Sequence, residues 1–130
     1  MASIFSKIIV GDIPSYKIAE DDQYYAFLDI HPVAKGHTLV VPKLEVDDIF
    51  DLSDEQLSGL HIFAKGVAKA IKKVVSCNRI GMTVIGLEVP HAHIHLIPIN
   101  GLHDMDFTKE KLKMSQEDFQ SLSSEIASFF

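Results

Sequence analysis

A chain of 130 residues, 47% hydrophobic and 23% charged, has the length for one domain with its own core and the make-up of a globular protein. A formal net charge of −6 excludes a general nucleic-acid binder, which needs a basic face, but leaves room for a small phosphorylated ligand held at a local site. The single cysteine, Cys77, excludes an intrachain disulfide framework and fits a reducing compartment. No apolar run approaches the ~20 residues of a membrane span, and Ser6 and Lys7 interrupt the early apolar residues, so no signal-peptide core forms. A cytoplasmic location, without membrane partners, is the expectation.

Ile4, Phe5, Ile8 and Ile9 recur at helical spacing before Gly11, which predicts a short helix over residues 3–10. Turn chemistry at Asp12-Ile13-Pro14-Ser15 leads into two hairpin strands, 17–20 and 24–28, around Asp21-Asp22-Gln23. Asp29-Ile30-His31-Pro32 ends the second strand, because proline lacks an amide donor and holds its predecessor extended. The apolar, β-branched run 37–41 reads as a buried strand stopped by Pro42. Residues 54–75 carry the longest helix. Ser53 and Gln56 make its capping box, and Leu57, Leu60, Ala64, Val67, Ala68, Ile71, Val74 and Val75 share one stripe. A strand over 79–85 follows Asn78, residues 86–90 make a tight connection, and 91–99 is the last strand. Beyond the polar Asn100-Gly101, Ser115 and Asp118 cap a final helix whose Phe119, Leu122 and Ile126 form a stripe with Phe129 and Phe130. About five strands, one long helix and short flanking helices give an α+β fold. The principal domain spans 1–100, and an extension over 101–130 ends in a helix packed on the same domain.

One stretch stands apart: His91-Ala92-His93-Ile94-His95-Leu96-Ile97. In an extended strand alternate side chains share a face, so the three imidazoles point one way and Ala92, Ile94 and Leu96 the other. Rings two residues apart sit ~7 Å from each other, a gap that holds a phosphoryl group. Three imidazoles in a row make a poor core, since each buried ring nitrogen needs a partner. A lone histidine such as His61 or His103 is ordinarily structural or solvent-exposed. Two chemistries compete for the row. Neutral imidazoles can ligate zinc or nickel, with His31 or His37 as a further ligand. Alternatively, one neutral ring attacks phosphorus while a neighbour carries the proton the leaving group needs. Two charged neighbours repel, so one neutral and one protonated ring is the expected pairing.

The row and its surroundings resemble the histidine triad family of nucleotide-binding proteins and hydrolases, whose signature is His-φ-His-φ-His-φ-φ with φ apolar. The resemblance covers roughly residues 3–100. Ile4-Phe5-Ser6-Lys7-Ile8-Ile9, Gly11-Asp12-Ile13-Pro14-Ser15, Ala26-Phe27-Leu28-Asp29-Ile30-His31-Pro32 and Gly36-His37-Thr38-Leu39-Val40-Val41-Pro42-Lys43 carry it in order. It implies an antiparallel α+β protomer that pairs into a homodimer with a continuous sheet. It also implies hydrolysis or transfer at the α-phosphorus of a nucleotide ester, anhydride or phosphoramidate, with a purine nucleotide or nucleotide conjugate as partner and no cofactor. By position, His93 is the nucleophile forming a nucleotidyl-histidine intermediate, and His95 meets the phosphate and the leaving group. His91 orients the other rings and His37 faces the same site. Asp29 matches the residue that holds the ribose hydroxyls; Phe5, Ile8, Phe27 and Ile30, with Val89, match the apolar walls around the base. By residue type alone those walls are equally core, and Asp29 is equally a turn cap.

Three departures from the family pattern matter. Many members carry a Cys-x-x-Cys near the start that binds zinc with two histidines. Here Ser3 and Ser6 stand in those places and Glu45 in that of a histidine, so no structural zinc is expected. Leu87 replaces a glutamine before the triad and cannot donate to phosphate, and the loop ahead of it is short. These changes keep a nucleotide-binding module with little turnover as the alternative to an enzyme, with a histidine-ligated metalloenzyme behind it.

Overall fold

The computed structural model describes residues 2–130. Five strands, β1 (Lys17–Glu20), β2 (Tyr24–Leu28), β3 (Thr38–Pro42), β4 (Arg79–Thr83) and β5 (Ile94–Ile99), form one antiparallel sheet in the order β1-β2-β3-β5-β4. Three helices accompany it: α1 (Ile4–Ile9), α2 (Asp54–Val74) and α3 (Gln116–Ala127). This is the α+β architecture read from the sequence.

Alternation along the strands sorts the two faces of the sheet. Tyr24, Ala26, Leu28, Val40, Ala92, Ile94 and Leu96 belong to the main core, with Leu60, Ala64, Val67 and Ile71 of α2 and Phe119, Leu122 and Ile126 of α3. Tyr25, Phe27, Leu39 and Val41 alternate with them and pack on Phe5 and Ile8 of α1. His93 and His95 alternate with Ile94, so they emerge on this second face, where His93 lies edge-on to Phe5 with ring centroids 5.0 Å apart.

The structure shortens the last strand relative to the 91–99 expected from alternation. The ladder to β3 ends at Val40↔Ile94, because the Ala92 N–H donates to Val46 O at 2.7 Å instead of to a strand partner. The Pro42 carbonyl is likewise taken by a side chain, that of His91. The strand expected over 79–85 stops at Thr83, its last partner being His95. At the start of α2 the Ser53 hydroxyl accepts the Gln56 N–H, but the Gln56 side chain turns to Gln23 rather than back, so only half of the capping box forms. The buried stripe of α2 also takes in Phe63 and Ala70, three residues on from Leu60 and Val67. No helix among the described residues is long and apolar enough to cross a membrane.

Candidate active site

The second face of the sheet carries a cavity of about 460 Å³, within the range of small-molecule sites. Phe5 and Ile8 of α1, Phe27, Asp29 and Ile30 from the end of β2, and Val89 line it with His93 and His95. His37 and His91 stand behind those two rings rather than in the wall, both almost without exposure.

His91 belongs to a closed hydrogen-bonded cluster. Its Nε2 lies 2.7 Å from Pro42 O, a group that only accepts, so Nε2 carries the proton. Its Nδ1 is then the acceptor for the Ser3 hydroxyl at 2.7 Å. The same Ser3 caps α1 by accepting the Ser6 N–H at 3.0 Å. Ser3 N–H and the Ser6 hydroxyl both donate to Glu45 Oε1, at 2.7 and 2.6 Å, and these two bonds, Ser3's the larger effect, hold its carboxyl down to about 2. Ser3, Ser6 and Glu45, read from sequence as the places of missing zinc ligands, thus tie the base of α1 to the first triad ring. Two hydroxyls and a carboxylate already satisfied by one another are a poor match for zinc, which takes thiolate and imidazole in structural sites.

His93 and His95 are set in opposite tautomers. His93 Nδ1 lies 2.7 Å from His91 O and must donate, which leaves the lone pair of the neutral ring at Nε2. On the other side the Val33 N–H donates to His37 Nδ1 at 3.1 Å, so His37 carries its proton at Nε2. That proton goes to His95 Nδ1 at 2.9 Å, and His95 is left with its own proton at Nε2. Neither His93 Nε2 nor His95 Nε2 has a hydrogen-bond partner among the described residues. Among the described residues the only buried side-chain polar atom lacking a partner is Gln56 Oε1, so both nitrogens reach the cavity, although His93 as a whole is only 5% exposed.

Charge states follow from burial. His95 is pushed down to about 3, first by desolvation and then by the His93 and His37 rings, against a smaller opposing pull from Asp29. His37 falls to about 4, through desolvation first, then the Lys111 ammonium and His93. Desolvation also lowers His91, opposed by its bond to Pro42 and by Glu45. The pairing of one neutral with one protonated ring is therefore corrected at His95: a neutral imidazole presents the N–H there.

Asp29 does two things at once. Its Oδ1 accepts the His31 N–H at 2.8 Å, closing a turn, Oδ2 lies 3.5 Å from His37 Nε2, and the residue lines the cavity. Asp29, His37 and His95 bring three ligand atoms within 4.8 Å of one another. A neutral imidazole has one lone pair, however, and that of His37 is spent on Val33; a metal at Nε2 would also expel the proton His95 accepts. The donor set does not fit a metal, and His31, the other ligand considered from sequence, lies outside the cluster.

Sequence reasoning missed Leu39 and Phe107, which also line the cavity. Leu39 was legible, since it sits two residues from His37 and shares its face. Phe107 carried no signal beyond being a lone aromatic in a polar stretch.

The HIT domain family model matches residues 10–102. The chain is 38% identical over 134 residues to the "Protein hit" of Bacillus subtilis (strain 168), covering 95% of this chain and 91% of that one. It is 37% identical over 133 residues to the adenosine 5'-monophosphoramidase hnt1 of Schizosaccharomyces pombe, with 98% of each chain covered. The crystal structure of a Hit-like protein involved in cell-cycle regulation from Bartonella henselae, 30% identical, matches 98% of this chain and 96% of that one with a TM-score of 0.85. Domain match, fold similarity and whole-chain identity agree, and the chain belongs to the HIT family of histidine triad proteins.

Proposed function

We propose that this protein is a nucleotide hydrolase that cleaves a nucleotide phosphoramidate at the α-phosphorus through a covalent nucleotidyl-histidine. The observation that carries the reading is the opposed pair of tautomers: a lone pair on His93 Nε2 and a proton on His95 Nε2, both open to one cavity. His93 Nε2 attacks phosphorus as the P–N bond breaks, the neutral His95 Nε2–H donates a hydrogen bond to the leaving nitrogen, and water supplies the proton with which the amine departs. In the second half, the hydroxide left by that water displaces His93 from phosphorus, and His93 leaves with its lone pair restored at Nε2. His37 holds His95 in the tautomer this requires, and His91 holds His93 through its carbonyl. Asp29 Oδ2 accepts from the ribose hydroxyls, while Phe5, Ile8, Phe27, Ile30 and Val89 flank a purine base. The similarity to a monophosphoramidase of Schizosaccharomyces pombe supports this choice of bond. So does the wall itself, whose ionisable residues are two carboxylates and three histidines, with no lysine or arginine to hold the extra charge of a polyphosphate leaving group.

The test is a single-turnover reaction with adenosine 5'-phosphoramidate followed by intact-protein mass spectrometry after acid-free quench. Wild type is expected to accumulate a nucleotide adduct that maps to His93, and His93→Ala none; an adduct on another residue, or turnover without any, would remove the intermediate. The second reading, a nucleotide-binding module with little turnover, draws support from Leu87, which is 88% exposed and has no side-chain donor for phosphate. Tight nucleoside monophosphate binding by calorimetry with no adduct would favour it.

The working unit in this reading is a homodimer that joins sheets at β4. That edge is open, and Met82, Val84 and Ile85 beside it are 52%, 39% and 43% exposed. Light scattering at micromolar concentration is expected to give twice the protomer mass. A cytoplasmic location accords with the unpaired Cys77.

A further inference from the structure

The family model stops at residue 102, yet one wall of the cavity comes from beyond it. Phe107 sits edge-on to His95, ring centroids 4.9 Å apart at 71°, and edge-on to His37 at 5.8 Å and 76°. At the opposite end Phe5 sits edge-on to His93 at 5.0 Å. The two rings that face the cavity are therefore bracketed by two aromatics, one beside His93 and one beside His95.

The segment that carries Phe107 is anchored on both sides. Met105 fills the notch over Gly81 of β4, where an added Cβ would lie 2.6 Å from its sulfur. Leu112 N–H donates to Pro32 O at 2.8 Å. Between these points Asp106 Oδ1 closes a turn by accepting from Thr108, and the Lys111 ammonium donates to Phe107 O. Lys111 thereby acts as a staple on the backbone of Phe107 and is not part of the cavity wall.

In the proposed reaction the leaving nitrogen accepts a hydrogen bond from His95 Nε2–H, so whatever that nitrogen bears is delivered next to the ring packed on His95. We infer that Phe107 is a specificity-determining residue that selects alkyl or aryl substituents on the leaving nitrogen. This rests on the proposed function. Burying such a substituent against an aromatic wall favours it over an unsubstituted amine, which leaves Phe107 uncovered.

The test compares adenosine 5'-phosphoramidate with its N-benzyl analogue in wild type, Phe107→Ala and Phe107→Leu. Wild type is expected to favour the benzyl compound in kcat/KM by about tenfold. Phe107→Ala abolishes that preference while changing the unsubstituted substrate by no more than about twofold, and Phe107→Leu restores part of it. If both substrates fall together, Phe107 merely supports His95 and the inference is overturned; the same holds if the preference survives the alanine. The binding arm uses His93→Ala protein and calorimetry, in which the benzyl compound is again expected to bind about tenfold tighter, and Phe107→Ala to remove the difference. A binding preference that depends on Phe107, in a protein whose wild type shows no turnover, sustains the subsite and overturns the hydrolase reading alone. No preference in either arm overturns the subsite.

Discussion

The first and third rings of the triad are the same residue type on the same stretch of chain, and the structure uses them in contrasting ways. His91 is fully enclosed, with both nitrogens bonded to Pro42 and Ser3. His95 is bonded on one nitrogen only, and the other opens on the cavity. The difference is one of partners rather than of residue chemistry. At the His91 end a serine supplies a donor and a carbonyl an acceptor, so the ring is saturated and acts as framework. At the His95 end a second imidazole, itself held by the Val33 amide, supplies the donor and leaves the Nε2 proton facing the cavity.

The contrast predicts unequal effects. The largest falls on the open nitrogens: His95→Ala is expected to lower kcat by roughly 10²–10³, the usual weight of a positioned hydrogen-bond donor to developing charge, and stopped-flow release of the leaving amine checks it. Acid stability comes next. His37, His91 and His95 all ionise in the folded protein below the ~6.5 of an unfolded histidine. As pH falls, the unfolded chain therefore takes up protons first. Stability is expected to be held above pH ~6.5 and lost progressively toward about 4 and then about 3, read as urea midpoints across that range. Ser3→Ala breaks the saturated end; it removes the cap of α1 and orphans His91 Nδ1, costing about 2 kcal/mol in urea unfolding with a smaller loss in kcat. His37→Ala breaks the open end instead. Freed of its donor, His95 samples the wrong tautomer, and kcat is expected to fall roughly tenfold with KM nearly unchanged, about one buried hydrogen bond. The smallest effect is reserved for Glu45→Gln, which keeps an acceptor for Ser3 and Ser6 and is expected to shift the unfolding midpoint less than Ser3→Ala does.

Much of this site was legible because strand alternation is a strong local rule. His93 and His95 against Ala92, Ile94 and Leu96 assigns two faces without knowledge of any neighbour, and the structure separates them that way. The apolar residues placed around a base do line the cavity, as does Asp29, which also closes a turn through Oδ1. Phe5, Ile8 and Phe27 are also buried core, so the two readings of those residues describe one wall seen from its two sides. The end of β5 was not legible, because alternation continues through His91 while the ladder does not. Only the capture of Ala92 N–H by Val46 and of Pro42 O by His91 stops it. Phe107 was invisible for a similar reason: nothing near it in the chain says that residue 105 anchors on β4 and residue 112 on Pro32.

The sequence by itself determined the α+β layout, the two-faced strand and the set of imidazoles brought to one side, because hydrophobic period and turn chemistry act over a few neighbouring residues. Which nitrogen carries each proton, and that His95 is held as a neutral ring, were decided only by the tertiary structure. The partners that set those states, Ser3 with His91 and His37 with His95, are 88 and 58 residues apart in the chain. Desolvation, the main cause of the lowered pKa values, exists only once the sheet and its helices have closed around the rings.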